Sequence, residues 1–342
     1  MVELNGKKIL VTFLMHLGDL TLTTPFIHAL RKAAPDAHIT MLVDEKLKDV
    51  VLFNPYLDEV VTIDKKGRDN SILSLWACSR HLSKLDFDVL INLHPNERCS
   101  FIDAMTSIKL RTGTTHKIFK WFWDVFTPLD RSMHAADMYL DVLQQLGVQD
   151  LSSNGLEIFP GEEHFLEAEL FWQEQNITDQ DKLIGFNIGS AVPTKRWPPE
   201  RFAEVADIFA AKGYKTVFFG GPMDEEMVAE ATGYMQTRPI IATGHFAIGG
   251  LAAAMRRCCL IITNDSGPMH VAISQKVPIV AMYGPSNPKL YGPYTKDAVI
   301  VTAQPPCQGC ADGMKHSCDD LQCMSRMTVE QVVAAAEKML EK

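Results

Sequence analysis

The sequence predicts an α/β protein made of doubly wound parallel sheets, and three observations predict it. Short β-rich runs alternate with helical patterns in both halves of the chain, which is typical of parallel βα units. Several of these runs are continuously apolar, as expected for strands that helices cover on both faces. The chain has 342 residues, more than one hydrophobic core usually supports, so we expect two such domains.

Ten runs are predicted to be strands, four in the first half and six in the second. They are 8–13, 38–43, 59–63, 87–93, 183–188, 215–219, 239–242, 260–263, 278–282 and 298–301. A final helix is indicated by Thr328-Val-Glu-Gln331, a capping-box pattern that precedes apolar residues at helical spacing. The strands and this helix set the order of the elements along the chain.

The domain boundary is expected in the turn-rich segment between residues 147 and 181. We predict an N-terminal Rossmann-like domain over 1–160, a C-terminal one over 161–325, and a final helix over 326–342 that could pack back on the N-terminal domain. A cleft between two such domains is where a ligand is expected to bind.

Composition and charge exclude some classes of protein. Hydrophobic residues make up 46% and charged residues 22%, and no segment approaches the roughly 20 apolar residues of a membrane span. The net charge of −9 argues against a nucleic-acid binder, although residues 98–131 form a local basic island. No cleavage-site pattern follows the first apolar run, so we expect a cytoplasmic protein without a signal peptide.

The segment "TNDSGPMH", residues 263–270, follows a predicted strand and places Ser266, Gly267 and Pro268 at a helix start. Such a start leaves backbone N–H groups and a positive dipole end for an anion. The alternative is an ordinary capped helix in which Asp265 and His270 are structural residues. The sequence also contains neither the G-x-G-x-x-G nor the P-loop pattern, which argues against a nicotinamide dehydrogenase or an NTPase.

Two further loops follow predicted strands of the same half. In "NIGSAVPTKRWPPERF", residues 187–202, Ser190 and Lys195 could pair with a diphosphate without a metal ion, or the lysine could be merely solvated. In "FFGGPMDEE", residues 218–226, Glu225 could accept hydrogen bonds from ribose hydroxyls, or be an exposed acid at a helix start.

The first half carries its own candidates. In "HLGDLTLTTP", residues 16–25, Asp19 could cap a helix, bind a ligand or do chemistry. In "HKIFKWFWDVFTP", residues 116–128, Lys117 and Lys120 lie among five aromatic residues, a pattern suited to lipid headgroups or to interior packing. Arg98 follows a predicted strand and is a candidate contact for a ligand.

Five segments together resemble glycosyltransferase family 9, the bacterial ADP-heptose:lipopolysaccharide heptosyltransferases. They are "GDLTLTTP", "GSAVPTKRWP", "FGGPMDEE", "NDSGPMHVA" and "YGPSNPKLYGP", in order from Gly18 to Pro293. The resemblance implies the GT-B fold, with two Rossmann-like domains that face each other across a cleft. It also implies a nucleotide-sugar donor on the C-terminal domain and the acceptor on the N-terminal one.

The resemblance also implies roles for particular residues. Asp19 would be the general base, Gly18 would let the backbone turn to present it, and Lys195 would neutralise the leaving diphosphate. The residues that match the donor site are Ser190, Asp265, Ser266, Gly267 and His270, with Glu225 as a looser match to a ribose-binding acid. Inversion is the expected outcome, with no metal ion and no cofactor.

Two patterns could hold a metal ion. Asp86-Phe-Asp88 resembles a D-x-D metal site, but it lies at the start of a predicted strand, which favours a structural role. Cys307, Cys310, Cys318 and Cys323 fall within 17 residues and could bind zinc or an iron–sulfur cluster. Similar cysteines in the resembling family have no established metal role, so this question stays open.

The expected function is an inverting, metal-independent glycosyltransferase. By the resemblance, it would move heptose from ADP-heptose onto a lipid-linked lipopolysaccharide core acceptor, with peripheral membrane contact through residues 116–128. The alternatives are a GT-B enzyme that uses another nucleotide-sugar, an epimerase, or a catalytically silent nucleotide-binding homologue.

Overall fold

A computed structural model describes residues 2–303, 318 and 320–341. The chain divides into two compact units, Met1–Phe159 and Pro160–Lys342. The first unit falls one residue short of the 1–160 domain expected from the sequence. Each unit is built on one six-stranded parallel sheet.

The sheet of the first unit has the strand order β3-β2-β1-β4-β5-β6, so the chain winds outwards from the centre in both directions. The two central neighbours of β1 pair with it in parallel, Ile9 opposite Ile39 on one side and Val89 on the other. The six strands are β1 Lys8–Thr12, β2 His38–Asp44, β3 Glu59–Ile63, β4 Val89–Asn92, β5 Leu110–Gly113 and β6 Val125–Phe126.

Helices follow the strands of this sheet. They are α1 Leu17–Thr21, α2 Thr24–Ala33, α3 Ile72–Ser83, α4 Glu97–Ala104 and α5 Ala135–Leu146, with the 3-10 helices η1 Glu45–Val50 and η2 Lys117–Phe122. Helix α2 packs with α5, whereas α4 packs with both α3 and η2. The core under α3 and α4 joins Leu75 and Ile102 to Leu10 and Leu90 of the sheet.

The sheet of the second unit has the order β12-β11-β10-β7-β8-β9. All its strand pairs are parallel, and β10 shifts register against β7 between Cys258 and Leu260. The strands are β7 Leu183–Asn187, β8 Lys215–Phe219, β9 Ile240–Ile241, β10 Cys258–Asn264, β11 Ile279–Met282 and β12 Ala298–Val301.

The helices of the second unit include one at each end of its chain segment. They are α6 Glu162–Glu174, α7 Pro199–Ala211, α8 Glu225–Tyr234, α9 Ile248–Met255, α10 Gly267–Ser274, α11 Pro288–Tyr291, α12 Gln322–Ser325 and α13 Val329–Leu340, with η3 Pro193–Lys195 and η4 Pro222–Asp224. The capping box predicted for the last helix is present: the Thr328 hydroxyl accepts from Gln331 N, and Gln331 Oε1 accepts from Thr328 N.

The final helix, α13, contributes to the packing of the second unit. It packs on α7 and on β10, β11 and β12 of the second unit. Val332, Ala336 and Met339 are buried in the same core as Leu260 and Val280. The apolar stripe at helical spacing therefore completes the second unit's own core.

The predicted fold class is confirmed, because each of the ten predicted strand runs overlaps an observed strand. The sequence did not predict β5 and β6, which have only four and two residues. Within the described residues, no helix combines the length and the apolar character that crossing a membrane requires.

Candidate active site

The candidate donor loops of the second unit leave three neighbouring strands. Strands β10, β7 and β8 are adjacent in the sheet, and the loops that carry Asp265, Lys195 and Glu225 follow their carboxyl ends. Because the strands are parallel, these ends lie at one edge of the sheet, where α/β proteins bind ligands. The fold therefore gathers residues that are up to 70 positions apart.

Lys195 and Asp265 form a nearly buried ion pair at this edge. Lys195 Nζ lies 2.7 Å from Asp265 Oδ2, and their side chains are 13% and 6% exposed. The hydroxyl of Ser286, which is also buried, donates to the same carboxylate oxygen. Burial and the Asp265 carboxylate also raise the pKa of Tyr283 well above its usual value. Lys195 is therefore charge-compensated by the protein itself.

The loop that carries Ser190 and Lys195 is held by polar contacts to the end of β10. Asn264 Oδ1 accepts from Trp197 N, and Asn264 Nδ2 donates to Ile188 O. The buried Ser190 hydroxyl lies 3.4 Å from the Asp265 carbonyl oxygen and accepts from Val192 N. The bonds to Asn264 and Asp265 hold the loop against the end of β10. They also give the buried polar groups the partners that such groups need.

Helix α10 begins where the sequence predicted, directly after the N-cap residue Ser266 and with Gly267 and Pro268 in its first turn. The Ser266 hydroxyl makes no capping hydrogen bond to the helix and instead accepts from Asn187 Nδ2 at 2.8 Å. The backbone N–H groups of the first turn therefore have no cap from this side chain. His270 is buried one turn further on.

At the end of β8, the exposed acid and the buried acid are neighbours. Glu225 is the exposed first residue of α8, and its Oε1 lies beside Gly244. Asp224 is buried, and Gly189 and Gly220 leave the space that its carboxylate occupies. Asp224 Oδ2 accepts from Gly221 N at 2.9 Å, so Asp224 has a structural role at this edge.

In the first unit, Asp19 lies half-buried in the first turn of α1, at the carboxyl end of β1. An acid in this position interacts favourably with the positive end of a helix. Gly18 is part of the same helix and is not among the residues with positive φ. The chain becomes helical directly after His16, so Gly18 lies in helical backbone and not in a left-handed turn.

A cavity of about 620 Å³ lies in the first unit beside this turn, and Arg98 lines it together with His16, Lys65 and Lys66. Arg98 Nη1 donates to Lys65 O, and Arg98 Nη2 donates to Asn70 Oδ1 at 2.7 Å. Three basic side chains therefore meet in one cavity. Lys65 and Lys66 were not among the candidate residues predicted from the sequence. The signal that could have found them is a basic pair one residue after the predicted strand 59–63.

Lys65 also anchors the loop before Asp19. Its ammonium group lies 3.1 Å from Asp44 Oδ2 and donates to the carbonyl oxygens of Leu14 and Met15. Nearby, burial together with the positive charges of Arg131 and His16 lowers the pKa of His94 to about 4. His94 is therefore neutral at neutral pH.

Lys117 and Lys120 are exposed on η2, apart from the residues that line the cavity. Lys120 Nζ lies 4.4 Å from the centroid of the Phe126 ring. The aromatic segment is divided: Trp123 is buried and its Nε1–H donates to Thr112 O, whereas Trp121 is 95% exposed. Residues 116–128 are thus neither wholly core nor wholly surface.

Two sequence patterns were candidates for metal binding, Asp86-Phe-Asp88 and the four C-terminal cysteines. Asp88 Oδ2 accepts from Lys8 N at the amino end of the first sheet, away from the carboxyl edge that carries Asp19. Cys323 is buried in the core of the second unit, Cys318 is partly exposed, and Cys307 and Cys310 lie outside the described residues. Among the described residues, no group of three His, Cys, Asp or Glu side chains could hold a metal ion.

The second unit presents a lysine–aspartate pair beside a helix N terminus, and the first unit presents an acid beside a basic cavity. The family described as glycosyltransferase family 9 (heptosyltransferase) matches residues 75–318. The chain belongs to this family and is a glycosyltransferase of the GT-B fold.

Known relatives agree with this assignment. Lipopolysaccharide heptosyltransferase 3 of Escherichia coli K12 is 24% identical over 341 residues, 94% of this chain and 95% of the relative. The crystal structure of a family 9 glycosyltransferase from Veillonella parvula is 53% identical, with a TM-score of 0.95 and 99% coverage of both chains. The heptosyltransferase WaaC of E. coli with ADP shares the fold, with 17% identity, a TM-score of 0.74, and coverage of 97% of this chain and 99% of that one.

Proposed function

We propose that this protein transfers heptose from ADP-heptose onto a lipid-linked lipopolysaccharide core acceptor, with inversion at the anomeric carbon and without a metal ion. The observation that carries the proposal is the cluster of Lys195, Asp265 and Ser286 beside the N terminus of α10. The names of the relatives support the choice of sugar and acceptor, since several are lipopolysaccharide heptosyltransferases.

The donor diphosphate would bind at the start of α10. A phosphate oxygen can accept from Gly267 N–H at the positive end of the helix, because the Ser266 side chain makes no capping hydrogen bond there. Lys195 would add a positive charge to the leaving diphosphate while Asp265 keeps its ammonium group in place. Ser190 would contribute near the phosphates, and the exposed Glu225 would accept from ribose hydroxyls.

The acceptor would bind to the first unit through its basic cavity. Anionic sugars and phosphates match the positive charges of Lys66 and Arg98 there, and Lys117 and Lys120 would extend the contact along η2. We also propose that residues 116–128 make the peripheral membrane contact that a lipid-linked acceptor requires.

Asp19 would act as the general base. The acceptor hydroxyl oxygen would form a bond to the anomeric carbon, and the bond from that carbon to the diphosphate oxygen would break. The hydroxyl proton would pass to the Asp19 carboxylate, and ADP would leave with the bonding electrons. A positioned base contributes about 10²- to 10⁴-fold to such a step.

The first experiment identifies the donor and the reaction. Thermal unfolding is measured with ADP-, UDP-, GDP- and CMP-sugars, because the preferred donor stabilises the folded state by mass action. ADP release is then measured with and without acceptor, and with EDTA. We expect ADP-heptose to stabilise most, and ADP release to need acceptor and to persist in EDTA. Turnover of the nucleotide-sugar without any acceptor would instead indicate an epimerase.

The second experiment tests the base. Asp19→Asn should lower kcat by at least about 100-fold while the thermal shift with donor is kept. The matched control is Asp88→Asn, which removes a carboxylate from the opposite edge of the same sheet and keeps an oxygen that accepts from Lys8 N. Near-normal turnover of Asp19→Asn would refute the mechanism, and a wild type without turnover would indicate a binding homologue.

A further inference from the structure

Among the described residues of the first unit, six of the eight exposed large apolar side chains fall in two groups, one on the first turns of α3 and one on η2. Exposure reaches 78% at Leu73 and 95% at Trp121, although α3 also buries Leu75 and Leu82, and Phe119 of η2 packs partly buried against the same core. We call the six together the apolar face: Ile72, Leu73, Trp76, Ile118, Trp121 and Phe122. Isolated exposed apolar residues are ordinary, but two groups on neighbouring elements indicate an interaction surface.

The two groups lie on the same side of the first unit. Helix α3 begins after the carboxyl end of β3, and η2 begins after the carboxyl end of β5, so both start at one edge of the sheet. Both also pack on the same layer, because α4 contacts α3 on one side and η2 on the other. Leu75 of α3 and Trp123 after η2 are buried in one core, which leaves the apolar face turned outwards.

The basic cavity adjoins the start of α3, the helix that carries the first group. Its lining includes Lys66 and Asn70, which directly precede α3, and Asn96 and Arg98 at the start of α4. The apolar face is therefore next to the surface that the proposed function assigns to the acceptor. The sequence indicated only the η2 half of this face, because Ile72, Leu73 and Trp76 follow an ordinary amphipathic pattern.

Cations flank both halves of the apolar face in a protein whose net charge is −9. The exposed cationic side chains are Lys66, Arg68 and Arg80 around α3, and Lys117 and Lys120 on η2. Acidic side chains lie on this side as well: Glu45 and Asp69 pair with Arg68, Glu97 lies 3.7 Å from His116, and Asp124 accepts from Arg111 N. Among the described residues, Lys66, Arg80, Lys117 and Lys120 form no ion pair, which leaves four cations on this side for anionic groups.

We propose that the first turns of α3, with Ile72, Leu73 and Trp76, form the second half of a docking surface for an anionic lipid bilayer, together with η2. Tryptophan and aliphatic side chains enter the boundary between headgroups and acyl chains, while flanking lysine and arginine side chains contact anionic headgroups. The acceptor cavity then lies at headgroup level. This inference rests on the proposed lipid-linked acceptor for its purpose, but its test does not.

The experiment measures binding of the purified full chain to vesicles, without donor or acceptor. Co-sedimentation is compared for vesicles of phosphatidylcholine alone and of phosphatidylcholine with phosphatidylglycerol. The variants are the double change Ile72→Ser with Leu73→Ser, and the single change Trp121→Ser. The matched control, Leu166→Ser with Leu170→Ser, removes exposed apolar side chains from α6 of the second unit.

We expect the wild type and the α6 control to bind the anionic vesicles and to release at high salt. Each apolar-face variant should bind at least about tenfold more weakly, since each loses side chains worth more than 1.4 kcal/mol on full burial. The α3 variant and the α6 control should keep the melting temperature of the wild type and its turnover with a delipidated acceptor, because the changed side chains are exposed.

Three results would overturn the inference. The first is wild-type protein that does not bind anionic vesicles, and the second is α3 variants that bind them as the wild type does. The third is a wild-type dimer, measured by light scattering, that the α3 variants convert to monomer, because a second copy would then cover the face. If the wild type shows no turnover with a delipidated acceptor, that result counts against the proposed function and not against membrane docking.

Discussion

The buried carboxyl group of Asp103 should make the stability of the first unit fall as the pH rises. Asp103 lies in α4 and is fully buried, and its Oδ2 accepts from Thr12 Oγ1 at 2.9 Å and from Asn92 Nδ2 at 2.6 Å. Burial raises its pKa from 3.8 to about 8, more than these hydrogen bonds and the charge of Arg111 lower it. The bonds join α4 to the carboxyl ends of β1 and β4.

The sign follows from the folded-state pKa being the higher one. Below about pH 4 both states bind the proton, and between about pH 4 and pH 8 the unfolded state releases it while the folded state keeps it. The free energy of unfolding should therefore fall by about 1.4 kcal/mol per pH unit in this window and level off above it. Cys78 and Cys99, which face Asp103, do not titrate there because burial raises the pKa of both thiols.

The perturbation is Asp103→Asn, which keeps an oxygen for Thr12 and Asn92 but cannot ionise. Its NH₂ group would replace Asp103 Oδ1, which has no hydrogen-bond partner among the described residues, at a cost of about 1–3 kcal/mol. We expect the variant to be the less stable protein at about pH 5 and to gain about 3 kcal/mol relative to the wild type by about pH 7.5.

Urea unfolding at a series of pH values measures this difference, because the other titrating groups are common to both proteins. A stability difference that stays constant from about pH 5 to pH 7.5 would refute the reasoning, since it would mean that the Asp103 proton is released at the same pH in both states.

Two further changes test the ion pair and the sheet edge. Lys195→Ala should lower the stability of the second unit by about 3–5 kcal/mol, because it leaves the Asp265 carboxylate buried without its cation; adding Asp265→Leu should recover part of the loss. A melting curve of the double variant that is no better than that of Lys195→Ala would contradict this. Gly113→Ala should lower the melting temperature clearly more than Gly6→Ala. Both glycines have positive φ, but only at Gly113 would a Cβ overlap a backbone atom, the Asn92 carbonyl oxygen. Equal losses in the two alanine variants would mean that the φ angle alone sets the cost.

The larger strands were predictable because each is a continuous apolar run between helical patterns, and burial on both faces requires that pattern. The two strands that were not predicted, β5 and β6, show little of this continuous apolar pattern. Strand β5 has four residues, one of them Arg111, and β6 has two. Their conformation is fixed by pairing with a strand that is already in place, Leu110 opposite Val89 and Thr112 opposite Val125.

The candidate site residues could be found at strand ends because the carboxyl ends of parallel strands must meet at one edge. Their pairing could not be found this way. Lys195 and Asp265 are 70 residues apart, and Ser286 reaches the same carboxylate from a third strand end. The adjacent acids Asp224 and Glu225 differ in burial. Gly189 and Gly220 leave space for the Asp224 carboxylate, which is buried, whereas Glu225 is exposed.

The sequence by itself determined two doubly wound sheets, the loops that carry the glycosyltransferase motifs, and the position of Asp19 after the first strand. Tertiary structure alone decided which chemically equivalent residues face the interior. Trp121 and Trp123 are two positions apart in one aromatic segment, yet Trp123 is 9% exposed and Trp121 is 95% exposed. The physical reason is local space: Trp123 reaches the Thr112 carbonyl oxygen within the core under α4, and η2 turns Trp121 away from that core.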